Sequence, residues 1–321
     1  MRIVRVSFLC LLLLSALLCT PTRSAAENRF SYNGSYPYRA VVTTGMIADL
    51  VRQVGGDKTL VETIMGPGVD PHLYKPAPRD LSILIAADII FANGLHLEGR
   101  MIDILERYSR KKPVLFVSER IDSKLLRSSQ DFPGGHDPHL WMDVSLWRKV
   151  VDTVADGLVE FDPRNTAFYR TNQQILGQRL EALDSRAKEM IGSIPQDARV
   201  LITAHDAFYY FGRAYNIEVR GIQGISTDSE AGLRDINSLV DLIVQRKIPA
   251  VFFESSVSQK NVLALIEGAQ SRGHSVSVGG ELYSDSMGSP ETREGNYIGM
   301  IEHNLRVIAS GLGGAASKDK R

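Results

Sequence analysis

The chain carries seven histidines, at positions 72, 96, 136, 139, 205, 274 and 303. Imidazole is the commonest protein ligand for a transition metal, and three of these histidines share a setting. His72 stands in Gly66-Pro67-Gly68-Val69-Asp70-Pro71-His72-Leu73, a loop after an expected strand. His139 stands in a second loop, His136-Asp137-Pro138-His139-Leu140-Trp141. His205 follows Val200-Leu201-Ile202-Thr203-Ala204, at the carboxyl end of an expected strand. His72 and His139 lie in the same tetrapeptide, Asp-Pro-His-Leu. Proline fixes its own φ and restricts the residue before it. Such a loop holds an imidazole in place before a metal arrives, which lowers the ordering cost of binding. A further oxygen ligand comes from Gly279-Gly280-Glu281-Leu282-Tyr283-Ser284-Asp285-Ser286-Met287-Gly288, where small residues flank Asp285 and Glu281 is the competing carboxylate. Three imidazoles and a carboxylate suit a divalent first-row metal: nitrogen favours zinc, and the carboxylate makes manganese or iron more acceptable. The plainer reading of any single loop histidine is a solvated side chain. His96, in Asn93-Gly94-Leu95-His96-Leu97-Glu98, also ends a strand pattern and stays in contention. His136 reads as an exposed neighbour of the site, and His274 and His303 as helix-end and helix-surface residues.

Composition narrows the ligands further. Arg2 and Arg5, the apolar run Val6 to Cys19, Pro21 and the small residues Ser24, Ala25 and Ala26 follow the order of a Sec signal peptide. Cleavage after Ala26 would leave Glu27 first, and the run is short of the ~20 residues a membrane span needs. Leu18 precedes Cys19, where lipoprotein signals usually carry a small residue. A periplasmic, soluble exported protein is therefore expected, with a lipid anchor through Cys19 as the minority reading. Cys10 and Cys19 are the two cysteines, both in this leader. A mature chain of about 295 residues has no disulfide framework and no thiolate site, yet is long enough to bury a core without staples. Basic and acidic residues balance at 37 each, and losing the leader's three arginines makes the net charge about −3. No basic stripe is present, which argues against a nucleic-acid partner.

The elements that must position these residues alternate. Strand patterns at 40–44, 60–64, 88–92 and 114–117 are interleaved with helical patterns at 45–54, 79–87 and 101–107, the arrangement of a parallel sheet with helices on its faces. From Pro163 to Ser193 the pattern is helical throughout, with Asp162 as cap and Pro163 in the first turn. About 30 residues of helix span roughly 45 Å; a break at Gly177 is the alternative, although one glycine costs only about 1 kcal/mol. Alternation resumes with strands at 199–203, 218–220, 250–253 and 275–278 and helices at 207–214, 233–246, 260–271 and 297–310. The expected organisation is a leader (1–26), a flexible arm (27–39), an α/β lobe (40–162), a linking helix (163–193), a second α/β lobe (194–310) and a disordered tail (311–321). The fold class is α/β: two similar lobes with mainly parallel sheets, one long linking helix, and a ligand in the cleft beyond the strands' carboxyl ends.

Five stretches resemble, in order, the metal-binding proteins that serve ABC importers of zinc and manganese, the TroA type in particular. They are Met65–Tyr74, Asn93–Glu98, Asp137–Asp143, Thr203–Phe208 and Gly279–Gly288, within a likeness running from about Val41 to Ile308. The resemblance implies two lobes on one rigid helix, one ion of zinc or manganese per chain as cargo, and ligands His72, His139, His205 and Asp285. It selects Asp285 over Glu281. It also implies a permease and an ATPase as partners, for a chain expected to be monomeric. Manganese members typically have Glu where His205 stands, and dedicated zinc members a His-rich loop where Ser128 to His136 holds one histidine; this chain matches neither extreme. Affinity is expected to fall near and below pH 6, as histidine protonates around 6.5. Two other classes compete. A zinc hydrolase would use three histidines and an open position, with Glu98 or Glu254 as general base. Against it stand the fourth ligand and the lack of His-Glu-x-x-His, and a structural use of Glu254 is the stronger expectation. A surface adhesin is allowed by the resemblance alone.

Overall fold

The structure, a computed structural model, describes residues 30–129 and 134–315. The leader, the first residues of the arm, Gln130–Pro133 and the end of the tail lie outside the described residues. Among the described residues no helix is long and apolar enough to cross a membrane.

The first lobe is a four-stranded parallel sheet of order β2-β1-β3-β4, built from β1 (Tyr38–Val42), β2 (Thr59–Thr63), β3 (Ile89–Ala92) and β4 (Val114–Phe116). Helices α1 (Gly45–Gly55), α2 (Pro78–Ala86) and α3 (Ile102–Ser109) connect these strands. Strand alternation makes two buried faces. Ala40, Val42, Ile89 and Phe91 face one core, while Val41, Ile90 and Ala92 face another with Leu84 and Leu105. Fully apolar strands such as Ile89–Ala92 are what a sheet covered on both sides requires.

The second lobe repeats the scheme with parallel pairs β5 (Val200–His205) with β6 (Glu218–Gln223) and β7 (Ala250–Glu254) with β8 (Ser277–Leu282). These are two separate hydrogen-bonded pairs, with β5 packed beside β7, so the strands lie in the sequence β6, β5, β7, β8. Helices α6 (Tyr209–Tyr215), α7 (Leu233–Arg246), α8 (Lys260–Ser271) and α9 (Tyr297–Gly311) complete it.

Between the lobes, α5 (Thr166–Gly192) is continuous through Gly177. Its 27 residues span about 40 Å. Tyr169, Leu176, Leu180, Leu183, Ala187 and Met190 form a helical-period stripe buried against α1 and α4 (Val144–Phe161) of one lobe and α6 and α9 of the other. One apolar core therefore runs through both lobes by way of this helix. Gly177 is where the side chain of Arg148 crosses; a Cβ there would lie 2.4 Å from its Nε.

Four expectations change. The stretch between Val117 and Pro163, read without an element, holds α4 (Val144–Phe161), capped by Asp143, whose Oδ1 accepts from the amides of Ser145 (2.9 Å) and Leu146 (3.2 Å). Its helical stripe of Trp147, Val150, Val151, Val154 and Leu158 is buried in the shared core. Asp162 does not cap the long helix. Its carboxylate takes hydroxyls from Tyr36 (2.9 Å) and Tyr169 (2.7 Å) and the Asn165 amide (2.7 Å), and α5 begins at Thr166 after one tight turn. The described part of the arm is not loose. Tyr32 donates its amide to the Phe161 carbonyl at 2.7 Å, and the Tyr32, Tyr36, Tyr38 and Phe161 rings cluster, because three tyrosines supply apolar area to a segment that reads as polar. The tail stays packed at its start: Leu312 is buried, and Ala315 donates its amide to Ser193 Oγ at 3.0 Å.

Candidate metal centre

Parallel strands bring their carboxyl ends, and the loops beyond them, to one side of a sheet. His72 lies in the β2–α2 loop, His139 in the β4–α4 loop, His205 at the last position of β5, and Asp285 in the loop after β8. All four are buried, and one ligand atom from each lies within 4.8 Å of all the others. His72 Nε2 is 3.3 Å from His139 Nε2 and 3.5 Å from Asp285 Oδ2. His139 Nε2 lies 3.3 Å from Asp285 Oδ1, and His205 Nε2 3.1 Å from Asp285 Oδ2. His205 Nε2 and both Asp285 oxygens are close to these neighbours without hydrogen-bond geometry to any of them. Buried polar atoms are normally satisfied, so lone pairs converging this way mark a place for a cation.

Carboxylates aim two of the rings. His139 donates Nδ1–H to Asp137 Oδ1 at 2.8 Å, and His205 donates Nδ1–H to Glu254 Oε2 at 2.6 Å. Each bond turns Nε2 toward the centre and makes the ring a better donor once that nitrogen has lost its proton. Glu254 also accepts the His205 amide at 2.8 Å, and Asp137 that of His139 at 3.0 Å. Arg127 bridges behind both ligands, 3.3 Å from Asp137 Oδ2 and 2.8 Å from Asp206 Oδ2. Across the cleft, Trp141 Nε1 donates to the Ser284 carbonyl at 2.8 Å, and the Gly68 amide donates to Ser286 Oγ at 3.0 Å. Both bonds hold the Asp285 loop against the first lobe.

The electrostatics divide the histidines. Burial pushes the His72 ring down to about 3 despite the nearby Asp285. Burial also opposes charge on His139, but Asp285 and the hydrogen-bonded Asp137 outweigh it and raise that ring to about 9. At His205 burial is likewise outweighed, by Glu254 and then Asp285, and the ring titrates well above its usual range. Burial would raise Asp285, but His205 and His139 hold it well below the usual carboxylate range.

The other candidates lie elsewhere. His96 is exposed, in left-handed backbone at φ 65°. Glu281 is exposed, and its carbonyl accepts from His303 Nε2 at 2.9 Å. His274 Nε2 donates to the Ile248 carbonyl at 2.9 Å. Glu98 is fully buried, taking Thr43 Oγ1 at 2.7 Å and the amides of Asn93 (2.6 Å) and Gly94 (3.1 Å), and so shapes the turn around His96. The supporting roles of Asp137, Arg127 and Trp141 were not read from the sequence. The repeated Asp two residues before His was the available signal for Asp137; nothing local announces the others.

Known proteins resemble this chain over most of its length. The family described as "ZnuA: Zinc-uptake complex component A periplasmic" matches residues 40–311. The chain is 43% identical over 278 residues to the manganese-binding lipoprotein MntA of Bacillus subtilis (strain 168), covering 85% of this chain and 89% of that protein. It is 44% identical over 274 residues to the zinc-binding protein TroA of Treponema pallidum (strain Nichols), covering 85% and 88%. The solved structure of periplasmic zinc-binding TroA from Treponema pallidum superposes with a TM-score of 0.83, covering 86% of this chain and 99% of that one.

Proposed function

The chain belongs to the family of ZnuA, the periplasmic component A of zinc-uptake complexes, and from that premise we propose that it captures one zinc or manganese ion and hands it to an ABC importer. The observation that carries this reading is the convergence of four buried ligand groups where the lobes meet, with His205 Nε2 and both Asp285 oxygens left without a hydrogen bond. The ligands are His72, His139, His205 and Asp285, two from each lobe. Relatives named for zinc and for manganese stand at nearly equal identity, and a site of three nitrogens and a carboxylate accepts both metals.

His72 meets the ion neutral. His139 and His205 hold protons against Asp285, and these leave when the metal enters. Two protons out and one divalent cation in keep the buried charge constant, so loading avoids stranding net charge in a low-dielectric cleft. The lobes close by a small rocking about α5, because a core continuous through that helix resists a wide hinge. The loaded protein then docks on the permease, which reopens the cleft, and an ATPase drives the cycle.

The protein works as a monomer outside the cytoplasmic membrane, delivered by its Sec leader, with Cys19 as the alternative anchor. It is a carrier, not a hydrolase: the side chains nearest to a general base, Glu98 and Glu254, are both committed to hydrogen bonds, one shaping a turn and the other holding His205. Metal analysis of the purified mature protein tests the reading. About one ion per chain is expected, lost in His205→Ala; unchanged metal content in that variant would sink the ligand assignment.

A further inference from the structure

We propose that Thr227 is a positioning residue that latches the second lobe onto the His72 loop and so governs how fast the metal leaves. The inference rests on the reading of His72 as a ligand. Asp70 has two oxygens and two duties. Its Oδ1 accepts the backbone amide of His72 at 2.9 Å. Its Oδ2 accepts the hydroxyl of Thr227 at 2.6 Å, from the loop between β6 and α7 of the other lobe. One carboxylate thus joins lobe closure to the conformation of a ligand loop. A short O–H···O⁻ bond belongs to the strong class, and Thr227 is only 8% exposed. The neighbouring cross-lobe pair, Arg100 with Asp228 at 3.3 Å, is exposed on both sides and contributes little.

His72 is the ligand for which such a latch matters. His139 and His205 have Nδ1 tied to carboxylates, whereas the buried His72 Nδ1 makes no hydrogen bond within the protein. Its ring is oriented by the backbone turn that Asp70 secures. Opening the cleft breaks the Thr227–Asp70 bond first where the least anchored ligand sits, and His72 is then free to let go. Thr227 is not among the clustered ligand residues, so it acts on the loop and leaves the ligand set unchanged.

Stopped-flow release of Zn²⁺ to a chelator tests this on the loaded mature protein. Thr227→Val removes the hydroxyl at nearly constant shape and should speed release on the order of tenfold, equivalent to about 1.4 kcal/mol. Thr227→Ser should restore the native rate. Arg100→Ala should change it less than twofold. Co²⁺-loaded Thr227→Val should keep the native visible spectrum, since no ligand changes. Release from Thr227→Val within twofold of native, or a Ser variant as fast as Val, overturns the latch; Thr227→Ala provides the same reading if Val folds poorly. A native chain that holds no ion would overturn the proposed function instead, so the two failures are distinguishable.

Discussion

The two Asp-Pro-His-Leu loops begin alike and end differently. In both, the Asp Oδ1 accepts the amide of the His two residues on, at 2.9 Å for Asp70 and 3.0 Å for Asp137. That local turn is a property of the tetrapeptide. Beyond it the loops diverge. Asp137 also holds its own histidine's ring, is braced by Arg127, and accepts the Tyr210 hydroxyl on its carbonyl at 2.9 Å. Asp70 spends its second oxygen on Thr227 and leaves the His72 Nδ1 without a hydrogen bond. Leu140 is fully buried in the shared core, while Leu73 is 40% exposed. Identical residues thus make one fixed ligand loop, built into the core, and one that depends on the opposite lobe. A carrier that must both hold and release its ion has use for this asymmetry.

The largest expected break in the comparison concerns stability. Leu140→Ala should cost about 2–5 kcal/mol by cavity formation, and Leu73→Ala within about 0.5 kcal/mol, measured by denaturant unfolding of the metal-free protein. Equal losses would mean the two loops are equally built in.

Titration gives the next contrast. A ring raised to about 9 keeps its proton in the metal-free protein at pH 7 and must lose it on loading. Affinity should therefore rise with pH by about tenfold per unit for each proton released, and the His139 share of that rise should level above about pH 9. The stability this proton lends to the metal-free fold is complete below 6.5 and fades as pH climbs through about 9. His72, lowered to about 3, adds nothing to that slope at neutral pH. The window expected from an ordinary histidine, near and below pH 6, moves upward because Asp285 and Asp137 stabilise the imidazolium more than burial opposes it. Calorimetry at pH 7.5 in buffers of different ionisation enthalpy checks this; zero proton release would remove the claim.

The smallest contrast is between the two aspartates. Asp137→Asn should weaken metal binding about 10–100-fold, the usual effect of losing a histidine's supporting carboxylate. Asp70→Asn should cost less than about 10-fold, since its bond to His72 runs to the backbone and an amide oxygen still accepts it. Competition with a metal indicator measures both, and a reversed order would mean the His72 loop is the better anchored one.

Much of the architecture was legible in the chain. Short apolar or β-branched runs interleaved with patterns of period 3.6 marked each described strand and its connecting helices, since each element must bury a face. α4 escaped because Val144–Phe161 lies between a ligand loop and the long helix, where strict strand–helix alternation no longer guides the eye. Asp162 has the right type and position for a helix cap, but three hydroxyl and amide donors, one brought from Tyr36 in the N-terminal segment, outcompete the helix amides for its oxygens. The four candidate ligands stood out as residue types in loops after strands. Their partners did not, because Glu254 reaches His205 from a different strand and Arg127 reaches Asp137 from a different segment.

What the sequence determined by itself is local: the residue types able to bind metal, the stiff Asp-Pro-His turns, the periodicities that make lobes and a long helix, and the lack of any cysteine after Cys19. Tertiary structure decided which histidines meet and which do not, leaving His96 in solvent and bringing His72, His139 and His205 around Asp285. It also decided which ring nitrogens face the shared centre. Those outcomes depend on distances between residues remote in the chain. Coulomb energy and hydrogen-bond geometry vary steeply with such distances, and no spacing in the sequence encodes them.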